Sequence, residues 1–167
     1  MKFGRIALIF AGAAALEFFF GGSKYRNAWP VDWLLVATAV VARSGGFGRA
    51  VLTGAAAGLL EDALTESLLG MNAFAKAALG YVLAFVSVRV IFGGAIAVGG
   101  VIALCSLAND AVVAVLRALL LDSPIVLGAP YSLWRAAATG VTAGALEAAW
   151  TFPWREWRER RRLRRLR

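Results

Sequence analysis

The chain has 167 residues, of which 60% are hydrophobic and 17% charged, and its mean hydropathy is +0.72. Soluble domains are about a quarter charged, and a chain of this length has too little interior for so many apolar side chains. A soluble globular protein is therefore disfavoured. The formal charge of +8 does not indicate a nucleic-acid binder, because eight of the arginines lie within the last thirteen residues.

Six apolar segments, taken in chain order, predict six membrane-spanning helices, since a span needs about 20 mostly apolar residues. The first follows two basic residues, as a signal peptide does, but no clean cleavage site ends it and we expect it to be retained. The second is short for a span, and the fifth is long enough to be tilted or to extend beyond a bilayer. The segments cover residues 5–20, 33–42, 47–64, 74–90, 94–121 and 133–152.

Basic residues at both ends predict that both termini are cytoplasmic. Lys2 and Arg5 precede the first segment, and the sequence "REWRERRRLRRLR" follows the last. Two cytoplasmic ends require an even number of spans, which agrees with six. The prediction is an all-α membrane protein, with a helical bundle over residues 1–153 and a basic cytoplasmic tail over 154–167. The tail can also contact anionic lipid.

The residues on which many enzymes depend are scarce. The chain has one cysteine, Cys105, and no histidine, which removes an intramolecular disulfide and the usual His-based metal centres and triads. The glycine-rich "GGFG" over residues 45–48 lacks the Lys and Ser/Thr of a phosphate-binding loop. We therefore expect neither enzymatic activity nor a cofactor.

Small residues predict two places of close helix contact. Gly54 and Gly58 form a GxxxG pattern in the third segment, and Gly140 and Gly144 form another in the sixth. Such residues let helix backbones approach each other, although a chain rich in Gly and Ala also produces these spacings by chance. The two segments share G-x-x-A-G-x-L-E-x-A at an offset of 86 residues, which suggests a duplicated three-helix unit of inverted topology.

Several ionisable residues lie within the segments or at their ends. A charge at the centre of a membrane helix costs roughly 2.5–3.5 kcal/mol, so most of them must face the interior, water or one another. They either pair internally and set the helix registry, or line a polar cavity or partner site. We expect Arg89 to pair with Glu147, and Glu61 or Asp62 to pair with Lys76 or Arg117. The full set is Glu17, Glu61, Asp62, Lys76, Arg89, Asp110, Arg117, Arg135 and Glu147.

Three tryptophans cluster where the sixth segment meets the basic tail. Tryptophan suits a membrane interface, because its ring is apolar and its N–H is polar. We therefore interpret Trp150, Trp154 and Trp157 as interface anchors.

Residues 30–81 carry a family resemblance. A Pro and an Asp, Pro30 and Asp32, open a Leu/Val-rich segment; a basic Gly-rich turn follows, then "GAAAGLLED" and "LGMNAFAKAALGY". In this order and spacing the stretch resembles the bacterial rod shape-determining protein MreD. Many members have Pro and Asp adjacent, whereas Val31 separates them here.

The resemblance implies a non-enzymatic subunit of the cell-elongation machinery in the bacterial inner membrane, with six helices similar to those of the S subunits of ECF vitamin transporters. It implies an MreC-type periplasmic scaffold as partner, working alongside MreB filaments, a RodA-type glycosyltransferase and its class B transpeptidase. The alternative is a small-molecule-binding transport subunit that uses the outer polar residues as a pocket. Nothing in the sequence decides whether a homodimer forms.

Overall fold

The computed structural model describes residues 3–21, 30–65, 68–89, 94–121 and 128–151. Within these ranges the regular structure is entirely helical, which confirms the predicted all-α class. The six helices are α1 (Phe3–Gly21), α2 (Trp33–Gly45), α3 (Phe47–Leu64), α4 (Met71–Arg89), α5 (Ala95–Leu121) and α6 (Ala129–Thr151).

Each predicted apolar segment forms one helix, and α3 has the predicted bounds. The largest difference between a predicted and an observed helix boundary is at α6, which begins four residues before the predicted start. Pro130 lies in the first turn of this helix, where its missing N–H is not needed. Among the described residues, Ala95–Leu121 is the helix long and apolar enough to cross a membrane.

The short helix α2 lies at the centre of the bundle and contacts all five other helices. Its sequence, WLLVATAVVARSG, is apolar on every face, which is typical of a buried helix. Leu34, Leu35 and Val41 have no exposed surface. A single residue, Gly46, joins α2 to α3, and its φ of +79° is a conformation that favours glycine.

Helices α3 and α4 pack backbone to backbone through glycine. A Cβ at Gly54 would lie 2.2 Å from the carbonyl oxygen of Lys76, and one at Gly58 would lie 2.2 Å from that of Asn72. Gly80 of α4 faces the backbone of α3 in the same way. The first GxxxG pattern is therefore a contact face, as predicted.

Helices α5 and α6 form a second close pair. A Cβ at Gly140 would lie 2.7 Å from the carbonyl oxygen of Gly99, and one at Gly144 would lie 2.9 Å from that of Ala95. The second GxxxG pattern is thus also a contact face. In a duplicated unit, α3 and α6 would correspond and so would α2 and α5. Because the α3 glycines face α4 and not α2, the contacts do not follow the suggested repeat.

Candidate functional site

Five charged side chains from five different elements meet inside the bundle. Asp32 caps the N-terminus of α2, and the other four lie one each on α3, α4, α5 and α6. We call this set the charge layer; its members are Asp32, Glu61, Lys76, Asp110 and Arg135. It contains three carboxylates and two cations.

Lys76 is the most deeply buried member of the charge layer, with 0% of its surface exposed. Its ammonium group donates a hydrogen bond to Asp32 Oδ2. Its Nζ also lies 3.0 Å from Glu61 Oε2. This second contact is an ion pair without hydrogen-bond alignment, since Glu61 Oε2 has no hydrogen-bond partner. The predicted pairing of Lys76 with one of the two adjacent acids is confirmed, and that acid is Glu61.

Arg135 holds the three carboxylates of the charge layer together. One guanidinium nitrogen, Nη2, lies 3.0 Å from both Asp32 Oδ2 and Glu61 Oε1, and Nη1 lies 2.9 Å from Asp110 Oδ1. A planar guanidinium suits this arrangement because its donors point in fixed, divergent directions. Arg135 therefore links α6 to α2, α3 and α5 at one point.

Asp32 owes its position to the start of α2. Its Oδ1 accepts a hydrogen bond from Leu35 N at 2.8 Å, the usual N-cap interaction. Its own backbone N–H donates to Thr139 Oγ1 at 3.1 Å. Next to it, Trp33 N donates to Glu17 Oε2 at 3.1 Å, which attaches α1 to the same region. All six helices thus converge on the charge layer.

The charge layer lies far from one end of the bundle. Asp32 precedes the last residue of α2, Gly45, by 13 residues, and Arg135 precedes the last residue of α6, Thr151, by 16. At 1.5 Å per residue these segments measure ~20–24 Å. On the other side α3 extends only three residues beyond Glu61. The charge layer therefore lies near one end of the bundle rather than halfway along it.

Asp62 has a role different from that of its neighbour Glu61. Its carboxylate accepts backbone hydrogen bonds from Gly70 at 2.8 Å and Asn72 at 3.2 Å, and another from the Asn72 side-chain amide at 2.8 Å. These N–H groups belong to the first turn of α4 and the residue before it, where a helix has unpaired donors. Asp62 therefore caps α4.

Arg117 does not join the charge layer. It lies seven residues beyond Asp110 along α5, which is ~10 Å at the rise of an α-helix. Its side chain is exposed and takes part in none of the ion pairs found among the described residues. Of the two cations predicted for Glu61 or Asp62, Lys76 is the one that pairs, and Lys76 and Arg135 already occupy the space around Glu61.

Glu147 pairs with Arg43, a partner that the sequence did not predict. Arg43 lies in the last turn of α2; its Nη1 donates to Glu147 Oε2, and its Nη2 donates to Oε1 at 3.1 Å. The side chain of Arg89 is outside the described part of the structure. The central position of α2 brings Arg43 to α6.

Charge exchange tests the Arg43–Glu147 pair. We expect Glu147→Arg to lower the thermal unfolding midpoint of the purified protein, and the double variant with Arg43→Glu to restore most of it. Arg43 is 37% exposed, so the effect should be small, about 0.2–1 kcal/mol. The matched comparison is Glu147→Arg with Arg89→Glu; restoration by that pair alone would contradict the assignment.

Of the tryptophans interpreted as anchors, Trp150 lies on α6 with 88% of its surface exposed. Trp154, Trp157 and the basic tail lie outside the described residues. An exposed indole near a helix end agrees with an anchoring role and contributes nothing to the charge layer.

Sequence reasoning underrated the two residues that organise the site. In the sequence, Asp32 stands out only as part of the family pattern, because it precedes the apolar segment. Its position directly before that segment is a helix N-cap signal, and that signal could have placed it in the bundle. Arg135 was counted among the ionisable residues, but no local pattern distinguishes it from Arg117.

The arrangement is suited to holding the helices together. Each member of the charge layer lies against an opposite charge, and the described residues include no group of three or more His, Cys, Asp or Glu that could hold a metal ion. A separate furrow of about 560 Å³ runs along α5 and α6. It is lined by small and apolar residues such as Gly100, Ala137 and Val141, and so offers no polar contacts to a substrate.

The chain was compared with models of protein families, with curated proteins and with solved structures, and nothing matches it in any of the three.

Proposed function

We propose that this chain is an integral membrane scaffold subunit of the bacterial rod-shape machinery. In this proposal it binds an MreC-type partner and supports peptidoglycan synthesis without an enzymatic activity of its own. The proposal has two parts, a membrane location and a scaffold role, and each rests on its own observations.

The membrane location rests on where apolar and charged side chains lie. Several large apolar side chains are exposed and several charged ones are buried, which is the reverse of a soluble protein. Ile96, Phe19 and Leu52 are 93%, 72% and 71% exposed, whereas Lys76 and Asp62 are 0% and 1% exposed. In water, large apolar side chains are buried and unpaired charges stay outside. Charges inside and apolar residues outside is the arrangement expected when the surrounding solvent is lipid. This is the observation that carries the proposal.

Helix lengths agree with that location. Helices α1, α3, α4 and α6 have 18 to 23 residues, which corresponds to ~27–35 Å and matches a hydrocarbon core of ~30 Å. Helix α2 has 13 residues and measures only ~20 Å. It is enclosed by the other helices, so its polar ends need not reach the membrane surfaces. Helix α5 is long enough to tilt or to project.

The scaffold part is supported by where the family-like residues lie. Asp32, Gly54, Gly58, Asp62 and Lys76 all belong to the stretch that resembles MreD. They also build the charge layer, the α3–α4 contact and the cap of α4. The residues that carry the resemblance are thus the ones on which this bundle depends.

The buried charges form ion pairs with one another, which favours a scaffold over a small-molecule carrier. A pocket for a vitamin-like ligand needs polar groups that are free to bind it, whereas Lys76 and Arg135 are already neutralised within the bundle. We therefore expect an MreC-type protein, and no small ligand, to accompany the chain through purification.

The proposal is tested by co-expressing the tagged chain with the MreC-type protein of its host and purifying it in mild detergent. Stoichiometric recovery of that protein, but not of an unrelated single-span membrane protein expressed at the same level, supports the proposal. Mass spectrometry of the same sample tests the alternative: a bound vitamin-like molecule without the partner would favour a transport subunit. Depletion that leaves cell width and shape unchanged would contradict a scaffold role.

A further inference from the structure

Two buried polar atoms on α5 have no hydrogen-bond partner. They are Ser106 Oγ and Asn109 Oδ1. Both residues are 1% exposed, so bulk solvent does not reach them. Buried polar atoms in folded proteins are nearly always paired, with protein or with ordered water, so this pair requires a physical explanation.

Ser106 departs from the behaviour of six other Ser and Thr hydroxyls in the described helices. These donate to the carbonyl oxygen four residues earlier, at 2.7–2.9 Å, which is the usual way for Ser and Thr to satisfy a hydroxyl within a helix. The examples are Thr38, Thr53, Ser87, Thr139, Thr142 and Thr151. Ser106 makes no such bond, so its hydroxyl is not satisfied by its own helix.

Asn109 is oriented by its neighbour. Its side chain lies close enough to the Asp110 carboxylate to interact with it. A carboxylate accepts hydrogen bonds, so the Asn109 amide nitrogen faces Asp110 and Oδ1 points the other way. Exchanging the amide nitrogen and oxygen would place two acceptors together. The unpaired oxygen is therefore fixed by the charge layer beside it.

The two atoms lie on the face of α5 that is turned toward the rest of the bundle. Cys105 and Ile102, on the same face, belong to the core cluster that α5 shares with α2 and α4. Residues three apart on a helix have Cβ atoms about 5–6 Å apart. One molecule the size of water can therefore lie within hydrogen-bond distance of both oxygens.

We propose that Ser106 and Asn109 bind an internal water molecule between α5 and the helices it packs against. The water donates one hydrogen bond to Asn109 Oδ1. It makes a second hydrogen bond with Ser106 Oγ. A buried water requires two to four polar partners, and these two oxygens provide the minimum. The inference does not depend on the proposed function, because it concerns only the packing of α5.

The test is the sign of the stability change in Ser106→Ala, measured as the thermal unfolding midpoint of the full-length protein in detergent. If water is bound, the variant leaves it with a single partner, and we expect the midpoint to fall by about 2–4 °C. If the site is dry, removing an unpaired hydroxyl relieves its desolvation and the midpoint rises. An unchanged or raised midpoint overturns the proposal.

The matched control is Ser87→Ala, since Ser87 satisfies its hydroxyl within α4. The unfolding midpoint must fall further for Ser106→Ala than for the control variant. An experimental structure that resolves ordered water provides the second readout. Density within hydrogen-bond distance of both oxygens supports the proposal. A Ser106 hydroxyl bonded to the Ile102 carbonyl, with no such density, overturns it.

Discussion

Replacing Lys76 with methionine is expected to prevent recovery of folded protein. Methionine has a similar length but leaves Asp32 and Glu61 buried with only Arg135 to neutralise them. Removing one partner from a buried ion pair costs about 3–5 kcal/mol. A whole domain is stable by only about 5–15 kcal/mol, so little of the folded state should remain. The measurement is the monodisperse fraction in size-exclusion chromatography and the thermal unfolding midpoint of that fraction.

Two further variants identify the cause of the Lys76→Met effect. Arg117→Met removes a cation from the exposed part of α5 and should leave the midpoint within experimental error. Lys76→Met combined with Glu61→Gln also removes one of the two buried negative charges that Lys76 contacts, and we expect it to recover part of the lost stability. If Lys76→Met is no less stable than Arg117→Met, the charge layer does not support the fold.

Substituting alanine for Gly58 is the second change with a large expected effect. Helix propensity alone predicts a gain of about 1 kcal/mol. The structure predicts the opposite, because the added Cβ would lie 2.2–2.3 Å from backbone atoms of Asn72 and Ala73. Neither backbone can move without separating α3 from α4. Overpacking costs typically 1–3 kcal/mol, and we expect the upper end of that range here, measured as a lowered unfolding midpoint.

Gly100→Ala is the matched control for Gly58→Ala. Gly100 also lies within a helix, but a Cβ there would have no heavy atom within 4 Å. The same chemical change should therefore leave stability unchanged or raise it slightly. Equal effects at the two positions would show that backbone propensity and not the α3–α4 contact decides the outcome.

Much of the α-helical architecture could be predicted from local sequence. A continuous apolar run is a helix signal that needs no knowledge of its neighbours, and the six runs correspond to the six helices. The contact faces of α3 and α6 could also be predicted, because a GxxxG pattern puts both glycines on one helix face. What the pattern could not give is which helix each face meets: α4 for one and α5 for the other.

The charge layer shows the limit of such reasoning. Glu61 and Lys76 are close in sequence and lie on consecutive helices, α3 and α4, which a short segment connects. Their pairing could therefore be predicted from the sequence. Arg135 lies 103 residues from Asp32 and 74 from Glu61. Nothing in the local sequence relates residues at those distances. The same reason explains Glu147, whose partner Arg43 is 104 residues away.

The sequence by itself determined that the chain forms apolar helices, that charges among them must find partners, and where small residues permit close contact. These properties depend on composition and on periodicity along a single helix. The tertiary structure alone decided that α2 is central, that Asp32 and Arg135 join the charge layer, and that Asp62 caps α4 while its neighbour Glu61 neutralises Lys76. The physical reason is that ion pairs are set by distances in space, and those distances depend on how the helices are arranged.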